Sequence, residues 1–270
     1  MKKISAVLIT YNEAEKIERA LSSLKPVCDE IVVVDSCSTD QTVQLCRRFT
    51  DRIIDHPWEG YRSQKQFATD QATHPWVLSL DGDEMLSSQL TDQILQWKKK
   101  EDHFKGYYIP RKTFFMGRWI EHTTWYPDWQ LRLFDRSYGL WEGGRIHESF
   151  CTTEATERFS GHIYHHSYST FSEYLKQLEN FSSLAAADSF DQGKRAHLFN
   201  FLTHPLVSFL KNYLLRLGIL DGVPGLSVSL LAAVSVLFKY FKLWELQLNN
   251  QGALIFEPQD EQSKNTLRRH

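Results

Sequence analysis

Two glycine-rich motifs by which many proteins bind nucleotide phosphates are absent from the sequence. No Gly-x-Gly-x-x-Gly follows the first apolar segment, and no Gly-x-x-x-x-Gly-Lys-Ser/Thr occurs in the 270 residues. Each motif uses glycine to bring backbone N–H groups close to phosphate groups. Their absence argues against a Rossmann dinucleotide-binding enzyme and against a P-loop nucleotide triphosphatase.

Cysteine is scarce and is not arranged for metal binding or dithiol chemistry. The four cysteines, Cys28, Cys37, Cys46 and Cys151, form no Cys-x-x-Cys pair. Structural zinc sites and redox-active dithiols usually need such closely spaced thiols. We therefore expect four reduced thiols in a cytoplasmic protein.

The chain has little net charge, and we expect its first apolar run to be a strand rather than part of a leader sequence. Its 31 basic and 33 acidic residues leave a net charge of −2, so no overall positive field attracts nucleic acid, which is not a predicted partner. The apolar run at residues 4–10 is too short for a signal peptide and has no cleavage site after it. It predicts a first β-strand instead.

The first third of the sequence contains a regular alternation of apolar and amphipathic segments. Short apolar segments predict strands at residues 4–10, 30–35, 52–55 and 76–80. Helices are predicted between them, the first capped by Asn12. This order predicts an α/β fold with a doubly wound, mainly parallel sheet.

Acidic residues stand at the ends of two predicted strands. Asp35 ends the second, and Asp81 ends the fourth, with Asp83 two residues later. Open α/β sheets bind ligands at this edge, and Asp81 and Asp83 would point the same way on an extended segment. Converging carboxylates favour a Mg²⁺ or Mn²⁺ ion that also holds a diphosphate. The alternative is an acidic turn before a helix capped by Ser87.

Residues 101–168 are rich in aromatic side chains and follow a different pattern. Strands are predicted at 106–110 and 131–134, and a glycine-rich turn at 143–147 leads to Glu148. We expect this part to add mixed α and β structure to the sheet and to form its acceptor side.

From residue 170 the sequence is helical in pattern. Residues 223–238 form a run of 16 residues without charge, shorter than the roughly 20 needed to span a bilayer. Lys211, Arg216, Lys239 and Lys242 flank it, which favours an anchor lying in the plane of a membrane. A helix buried against the sheet and a dimer interface remain equally open.

Several of these segments resemble a known family when they are taken together. Residues 7–13 (Val-Leu-Ile-Thr-Tyr-Asn-Glu), 33–40 (Val-Val-Asp-Ser-Cys-Ser-Thr-Asp) and 80–84 (Leu-Asp-Gly-Asp-Glu) resemble family 2 glycosyltransferases of the GT-A fold. Residues 126–134, the His147-Glu148 pair and Leu220-Asp221-Gly222 are similar to a narrower group, bacterial enzymes like the lipopolysaccharide-core β-1,4-glucosyltransferases.

The resemblance implies both an architecture and an activity. Residues 1–168 would form the GT-A domain, with a nucleotide-binding half at 1–100 and an acceptor half at 101–168. Residues 169–250 would be a helical, membrane-associating region, and 251–270 a tail. The implied activity is an inverting transfer of glucose from UDP-glucose to an acceptor hydroxyl of lipopolysaccharide core or a related cell-envelope glycan. The enzyme would be cytoplasmic and peripheral on the inner face of the cytoplasmic membrane.

The resemblance also implies roles for individual residues. Asp83 and Asp81 would hold the metal ion, Mg²⁺ or Mn²⁺, and the diphosphate. The nucleotide-sugar site would be formed by Thr10, Tyr11, Glu13, Asp35, Lys65, Asp81 and Arg132. For Lys65 the expectation also rests on its place on the helix before the acidic turn. A structural salt bridge is the alternative for Arg132.

Inversion needs a general base opposite the leaving group. Glu148 is the first choice, because it follows the glycine-rich turn where relatives carry an acidic residue, and Asp128 is the second. A capping or surface carboxylate is the alternative for Glu148. The histidines at 162, 165 and 166 could add a metal ligand, although no carboxylate stands among them at zinc-like spacing.

Two other functions remain to be compared with a transferase. A sugar-nucleotide pyrophosphorylase would carry a glycine-rich basic loop after strand one, where this chain has Thr10-Tyr11-Asn12-Glu13. The main alternative is a non-catalytic nucleotide-sugar-binding or membrane scaffold protein.

Overall fold

The computed structural model describes residues 1–101, 103–144, 148–168 and 170–250. Its strands are β1 (Ile4–Thr10), β2 (Glu30–Asp35), β3 (Ile53–Asp55), β4 (Trp76–Asp81), β5 (Glu84–Leu86), β6 (Gly106–Phe115), β7 (Arg118–Trp119), β8 (Asp128–Asp135), β9 (Gly139–Gly143), β10 (Glu148–Thr152), β11 (Thr156–Arg158) and β12 (Ile163–His165). Its α-helices are α1 (Ile17–Leu24), α2 (Thr42–Cys46), α3 (Tyr61–Asp70), α4 (Ser88–Trp97), α5 (Phe171–Asp191), α6 (Leu198–Leu210) and α7 (Gly222–Asn250). Residues 251–270, predicted to be a tail, lie outside the described residues.

A single large sheet organises the domain, with strand order β3-β2-β1-β4-β8-β6-β12-β5. The first four strands are parallel to their neighbours, as the sequence predicts. Strand β8 joins β4 antiparallel, and β6 joins β8 antiparallel. The result is a largely parallel α/β sheet with helices added at its C-terminal end, which confirms the predicted fold class.

The central strands are apolar on both faces because helices cover both faces of the sheet. In β2, Val33 packs in the layer that contains α1 and α4, whereas Val32 and Val34 pack in the layer that contains α3. All three valines are buried. Full burial of such a side chain contributes about 1.5–3 kcal/mol, so the continuous apolar pattern of these strands stabilises two layers at once.

Two predicted helix starts have different outcomes. Ser87 caps α4, since its Oγ accepts a hydrogen bond of 3.2 Å from the Leu90 N–H, which confirms that expectation. Asn12 does not cap α1, which begins at Ile17, so that prediction is wrong. Asn12 has φ of 54° and its Oδ1 accepts from the Thr39 N–H at 2.8 Å. Asparagine tolerates this left-handed conformation because its side chain bonds locally.

The C-terminal helices rest on residues 101–168 of the sheet domain, the part that the sequence predicts to be the acceptor half. Phe115 and Ile120 of that half form one buried cluster with Tyr174 and Leu178 of α5 and with Val228 of α7. Helix α6 packs mainly against α7 and the turn that follows it. Its Phe201 also packs against a small cluster that includes Ala186 of α5, and none of the residues of α6 is fully buried. The chain leaves α6 through a π turn (Lys211–Leu215) and a 3-10 turn (Gly218–Asp221) before α7 begins.

One helical stretch among the described residues, Gly218–Asn250, is apolar and long enough to cross a membrane by length and composition alone. In its most apolar window, 28% of the residues are buried in the protein. Val228, Leu231 and Leu243 are among the buried residues of α7, so part of this helix serves as core. The predicted anchor at 220–248 remains a prediction.

A buried carboxylate joins the helical region to the acceptor half. Asp221 is fully buried, and its Oδ2 accepts hydrogen bonds from the Glu121 N–H at 3.2 Å and the His122 N–H at 2.9 Å. Its Oδ1 lies 3.0 Å from His122 Nδ1. The segment after β7 therefore depends on this side chain for its hydrogen bonds.

We expect Asp221→Ala to destabilise the protein strongly, because buried N–H groups would lose their acceptor. The expected cost is about 3 kcal/mol, or a fall in melting temperature of roughly 5–10 °C. Thermal unfolding followed by circular dichroism would measure it, with substitution of the exposed Glu245 on α7, Glu245→Ala, as control. Equal melting temperatures for the two variants would contradict the stabilising role of Asp221.

Candidate active site

The carboxyl edge of the parallel strands holds the predicted nucleotide residues of β1 and β2. Thr10 and Asp35 are register partners, and Thr10 Oγ1 donates to Asp35 Oδ1 at 2.9 Å. Asp35 also accepts from the Ser38 N–H at 2.7 Å and the Ser38 hydroxyl at 2.6 Å. Asp35 is buried, and its hydrogen bonds to Ser38 hold the loop that follows β2. Its predicted contact with ribose remains a prediction.

Exposed aromatic rings flank this edge. Tyr11, directly after β1, is 59% exposed, and Trp58, in the loop after β3, is 49% exposed. Trp58 packs edge-on against Tyr61, the first residue of α3, with 4.7 Å between ring centroids. Sequence reasoning missed Trp58, although a tryptophan in a loop at a strand's carboxyl end was the available signal.

A buried chain of alternating charges crosses the site. Lys65 Nζ lies 3.1 Å from Asp81 Oδ1 and 2.8 Å from Glu148 Oε1. On its other side, Asp81 Oδ2 lies 3.1 Å from Arg132 Nη2, which also lies 3.0 Å from Glu84 Oε1. Burial alone would raise the pKa of Asp81, but the positive charges of Lys65 and Arg132 lower that pKa well below its usual range. Asp81 is therefore held as a carboxylate.

The charge chain continues to the second candidate base. Arg111, on β6, lies 3.1 Å from Glu84 Oε1 and 2.7 Å from Asp128 Oδ2. Asp128 Oδ1 accepts from Gln130 at 2.7 Å, so both of its oxygens have partners. Sequence reasoning missed Arg111, which faces Asp128 across the β6–β8 register. The complete order is Glu148, Lys65, Asp81, Arg132, Glu84, Arg111 and Asp128.

Glu148 begins β10, which pairs with β9 in a separate hairpin beside α3. Its side chain is 10% exposed, and Lys65 is its ion-pair partner. Residues 145–147 lie outside the described residues, so the predicted His147-Glu148 pair is described only at Glu148. The structure thus brings three predicted site residues, Lys65, Asp81 and Glu148, into direct contact.

Asp83 has different partners from Asp81. Gly82 and Asp83 form a turn, so the expectation that both carboxylates point the same way from an extended segment is wrong. Asp83 Oδ2 lies 3.2 Å from His165 Nε2 at the end of β12. Burial alone would raise the pKa of Asp83, but His165 lowers it by its charge and hydrogen bond.

The other two candidate histidines do not contact the carboxylate of Asp83. His162 Nε2 lies 2.9 Å from the hydroxyl of Tyr126. The His166 N–H donates to the backbone carbonyl of Asp83 at 3.0 Å, and its ring packs against Trp119. Of the three, His165 is the one whose ring forms an ion pair with Asp83.

Glu13 completes the acidic cluster. Burial, followed by the nearby charge of Asp83, raises the pKa of Glu13 from 4.5 to about 7. A Cβ atom at Gly82 would lie 3.0 Å from Glu13 Cγ, so glycine at that position permits the close approach of the two segments. An excess of carboxylate charge is thus concentrated around Asp83.

The raised pKa of Glu13 makes stability depend on pH. The carboxyl is protonated in both states below pH 4.5, whereas between pH 4.5 and about 7 only the unfolded chain ionises it. The stability that this group contributes is therefore greatest below pH 4.5 and is lost as pH rises from 4.5 to about 7, by about 3 kcal/mol. In chelator-treated protein, urea unfolding should show Glu13→Gln more stable than wild type at pH 8 and nearly equal to it at pH 4. The neighbouring exposed Glu15→Gln should show no such difference, and equal curves for Glu13→Gln at both pH values would contradict the assignment.

Comparison with known proteins identifies the family. Residues 5–172 match the sequence model of the family described as glycosyl transferase family 2. The chain belongs to glycosyl transferase family 2. The match spans the whole sheet domain, including every predicted site residue, so the edge described above is the candidate active site of a glycosyltransferase of the GT-A fold.

Two curated relatives of this family 2 enzyme are named as glycosyltransferases of bacteria. An uncharacterized glycosyltransferase of Rickettsia prowazekii is 31% identical over 268 residues, covering 94% of this chain and 91% of the relative. The lipopolysaccharide core biosynthesis glycosyltransferase LpsC of Rhizobium meliloti is 28% identical over 250 residues, covering 90% and 92%. Both alignments extend well beyond the sheet domain into the C-terminal helices.

Among solved structures, the family 2 enzyme is similar to Staphylococcus aureus TarS 1-349 in complex with UDP. The TM-score is 0.45 at 16% identity, covering 93% of this chain and 92% of TarS.

Proposed function

We propose that this family 2 enzyme transfers glucose from UDP-glucose, with inversion, to an acceptor hydroxyl of lipopolysaccharide core or a related cell-envelope glycan. The observation that carries the proposal is the buried contact of Lys65 with both Asp81 and Glu148 at the edge where Asp83 meets His165. This edge combines a carboxylate able to take a proton with an acidic turn suited to a metal-bound diphosphate. The acceptor class is supported by the similarity to LpsC.

The donor nucleotide lies at the ends of β1 and β2 in this proposal. The exposed ring of Tyr11 stacks on uracil, and Thr10, Asp35 and Glu13 face the base and ribose. The loop that follows β2 is held in place by Asp35 and Asn12 through hydrogen bonds to Ser38 and Thr39. A loop held in this way binds the nucleotide without first having to become ordered.

A divalent ion, Mg²⁺ or Mn²⁺, fits the acidic turn. Among the described residues no three His, Cys, Asp or Glu side chains form a complete metal site. Magnesium usually takes only one or two carboxylates and completes its shell with phosphate oxygens and water. Asp83 and His165 would hold the ion, with Asp81 next to them. Burial and then the charge of Asp83 raise the pKa of Glu13, and the ion would offset that carboxylate charge. When bound, the ion neutralises charge that develops on the leaving diphosphate.

Glu148 is the general base in this proposal. Its carboxylate removes the proton from the acceptor hydroxyl as that oxygen bonds to the anomeric carbon. The bond from this carbon to the diphosphate oxygen breaks on the opposite face, UDP leaves, and the configuration inverts. Lys65 positions Glu148 at 2.8 Å, whereas both oxygens of Asp128 are bound by Arg111 and Gln130.

Arg132 acts as a positioning residue in this scheme. It is buried, and its guanidinium lies against Asp81 and Glu84. A direct contact with the nucleotide, which the sequence predicts, would require it to leave these partners. We propose that it holds Asp81 towards Lys65 instead.

The acceptor places the enzyme at a membrane. Lipopolysaccharide core is built on a lipid, and the donor is a cytoplasmic nucleotide sugar, so we propose a peripheral location on the inner face of the cytoplasmic membrane. The apolar helices after residue 198 support this location.

UDP release from a panel of UDP-sugars with Mg²⁺ or Mn²⁺ tests the proposal. We expect slow metal-dependent release that is fastest with UDP-glucose. No release from any donor, together with no UDP-sugar binding by calorimetry, would contradict it and favour the non-catalytic scaffold. Faster release from another UDP-sugar would keep the transferase and correct its donor.

A further inference from the structure

Helix α6 and the turns after it expose an unusual amount of apolar surface. Residues of α6 that are large and apolar are exposed by up to 79%, and none is buried. The exposure continues through the turns to the start of α7. We call this the apolar hairpin surface and define it by Leu198, Phe199, Leu202, Leu206, Leu215 and Val223. A contiguous apolar surface of this kind usually marks an interaction site.

Basic residues outnumber acidic residues around the apolar hairpin surface, although Lys242 pairs with Glu179 of α5. Residues 192–250 contain six basic residues, Lys194, Arg195, Lys211, Arg216, Lys239 and Lys242, and two acidic residues, Asp221 and Glu245. Asp221 is buried at the joint with the acceptor half. The whole chain has a net charge of −2, so the positive charge is local to this region. The occupant of the surface must therefore be apolar and bordered by negative charge.

A lipid leaflet meets both conditions better than a second copy of the chain. In a two-fold dimer the same patch meets itself, so its basic border would face an equally basic border. A leaflet with anionic headgroups places acyl chains against the leucines and negative charge against Lys211 and Arg216, both of which are exposed. We propose that the apolar hairpin surface docks on anionic phospholipid.

The geometry indicates docking in the plane of the membrane. Helix α6 has 13 residues, about 20 Å at 1.5 Å per residue, which is shorter than a bilayer core. Helix α7 cannot cross the membrane without removing Val228, Leu231 and Leu243 from buried contacts. The docking element is therefore α6 with the following turns, and α7 supports it from the protein side.

The surface is also joined to the acceptor half of the active-site domain. The Thr123 N–H donates to the Arg216 carbonyl at 2.9 Å, and the Thr124 N–H donates to Asn212 Oδ1 at 2.9 Å. Asp221 adds the buried contacts to Glu121 and His122. Docking would thus orient the acceptor half towards the lipid. If the proposed function holds, this orientation implies that the acceptor sugar is attached to a membrane lipid.

Vesicle co-sedimentation of the full chain tests the docking surface. The probes are vesicles of phosphatidylcholine alone and of phosphatidylcholine with phosphatidylglycerol at 3:1. We expect wild type to bind the anionic vesicles about tenfold more tightly than the neutral ones. The double variant Leu202→Glu, Leu206→Glu should bind at least about tenfold more weakly, because both side chains are exposed and would meet the acyl region as charges.

Leu140→Glu is the matched control, since Leu140 is 60% exposed on β9, outside the C-terminal helices. It should bind vesicles as wild type does, and circular dichroism should be the same for all three proteins. Failure of wild type to bind either vesicle would overturn the proposal. The proposal would also be overturned if light scattering showed a wild-type dimer and a monomeric double variant, and if wild type bound no vesicles. The apolar hairpin surface would then be a dimer interface.

UDP release distinguishes failure of this inference from failure of the proposed function. The double variant should hydrolyse the soluble donor at the wild-type rate, because Leu202 and Leu206 lie outside the active site. Vesicle binding without any UDP release would keep the docking surface and reject the transferase. Normal UDP release by wild type without vesicle binding would keep the transferase and reject the docking surface.

Discussion

Asp83→Ala is expected to reduce metal-dependent UDP release by about 1,000-fold, which corresponds to about 4 kcal/mol of lost transition-state stabilisation. The reason is that Asp83 is the carboxylate of the acidic turn that faces His165, whereas Asp81 is already neutralised by Lys65 and Arg132. Removal of Asp83 would leave His165 as the main protein ligand for the ion. The charge developing on UDP would then lose its counter-charge.

The control for Asp83→Ala is Asp92→Ala, an exposed carboxylate on α4. It should retain full UDP release. Addition of a chelator should lower wild-type release as far as the Asp83→Ala substitution does, and added Mg²⁺ or Mn²⁺ should restore wild type only. Near-normal release by Asp83→Ala in the presence of metal would show that the acidic turn does not hold the ion. It would then be only a structural turn that precedes α4, the helix capped by Ser87.

Glu148→Gln is expected to abolish transfer to the acceptor, with a loss in kcat of about 1,000-fold, while binding of the UDP-sugar is retained. Glutamine keeps the shape of the side chain and an oxygen that can accept from Lys65, but it cannot take a proton from the acceptor hydroxyl. Transfer to an acceptor glycan measures kcat, and calorimetry with the donor measures binding. A merely structural role for Glu148 would lower binding and stability along with the rate.

Asp128→Asn is the matched comparison for Glu148→Gln. It replaces the other candidate base by an isosteric amide but leaves an acceptor for Arg111. We expect only a few-fold loss in kcat from this change. A loss in Asp128→Asn with normal transfer in Glu148→Gln would reverse the assignment of the base.

The acidic turn and the charge chain show which parts of the candidate active site could be predicted from the sequence. Asp35 and Asp81 were predictable because apolar strands that end in acids deliver them to one sheet edge. Lys65 was predictable as a candidate from its helix, but its contact with Glu148 joins residues 83 apart in sequence. That contact depends on how the β9–β10 hairpin packs beside α3, which no local pattern encodes. The direction of Asp83 depends on the turn at Gly82.

The C-terminal helices also show what a sequence pattern can and cannot predict, here for an exposed surface. The uncharged run at 223–238 identified α7 as the membrane candidate, since composition reports how apolar a helix is. Composition does not report what covers a helix. Helix α7 proved partly buried, whereas the shorter α6 has no buried residue and exposes most of its large apolar side chains.

By itself, the sequence determined the first four strands and the helices between them, the α/β fold class and the family. Apolar periodicity is a local property, and it survives in any fold that buries the same faces. The tertiary structure alone decided which carboxylate faces which cation, that Arg111 links Glu84 to Asp128, and which apolar helix remains exposed. These features depend on contacts between distant segments, and such contacts exist only after the segments have packed.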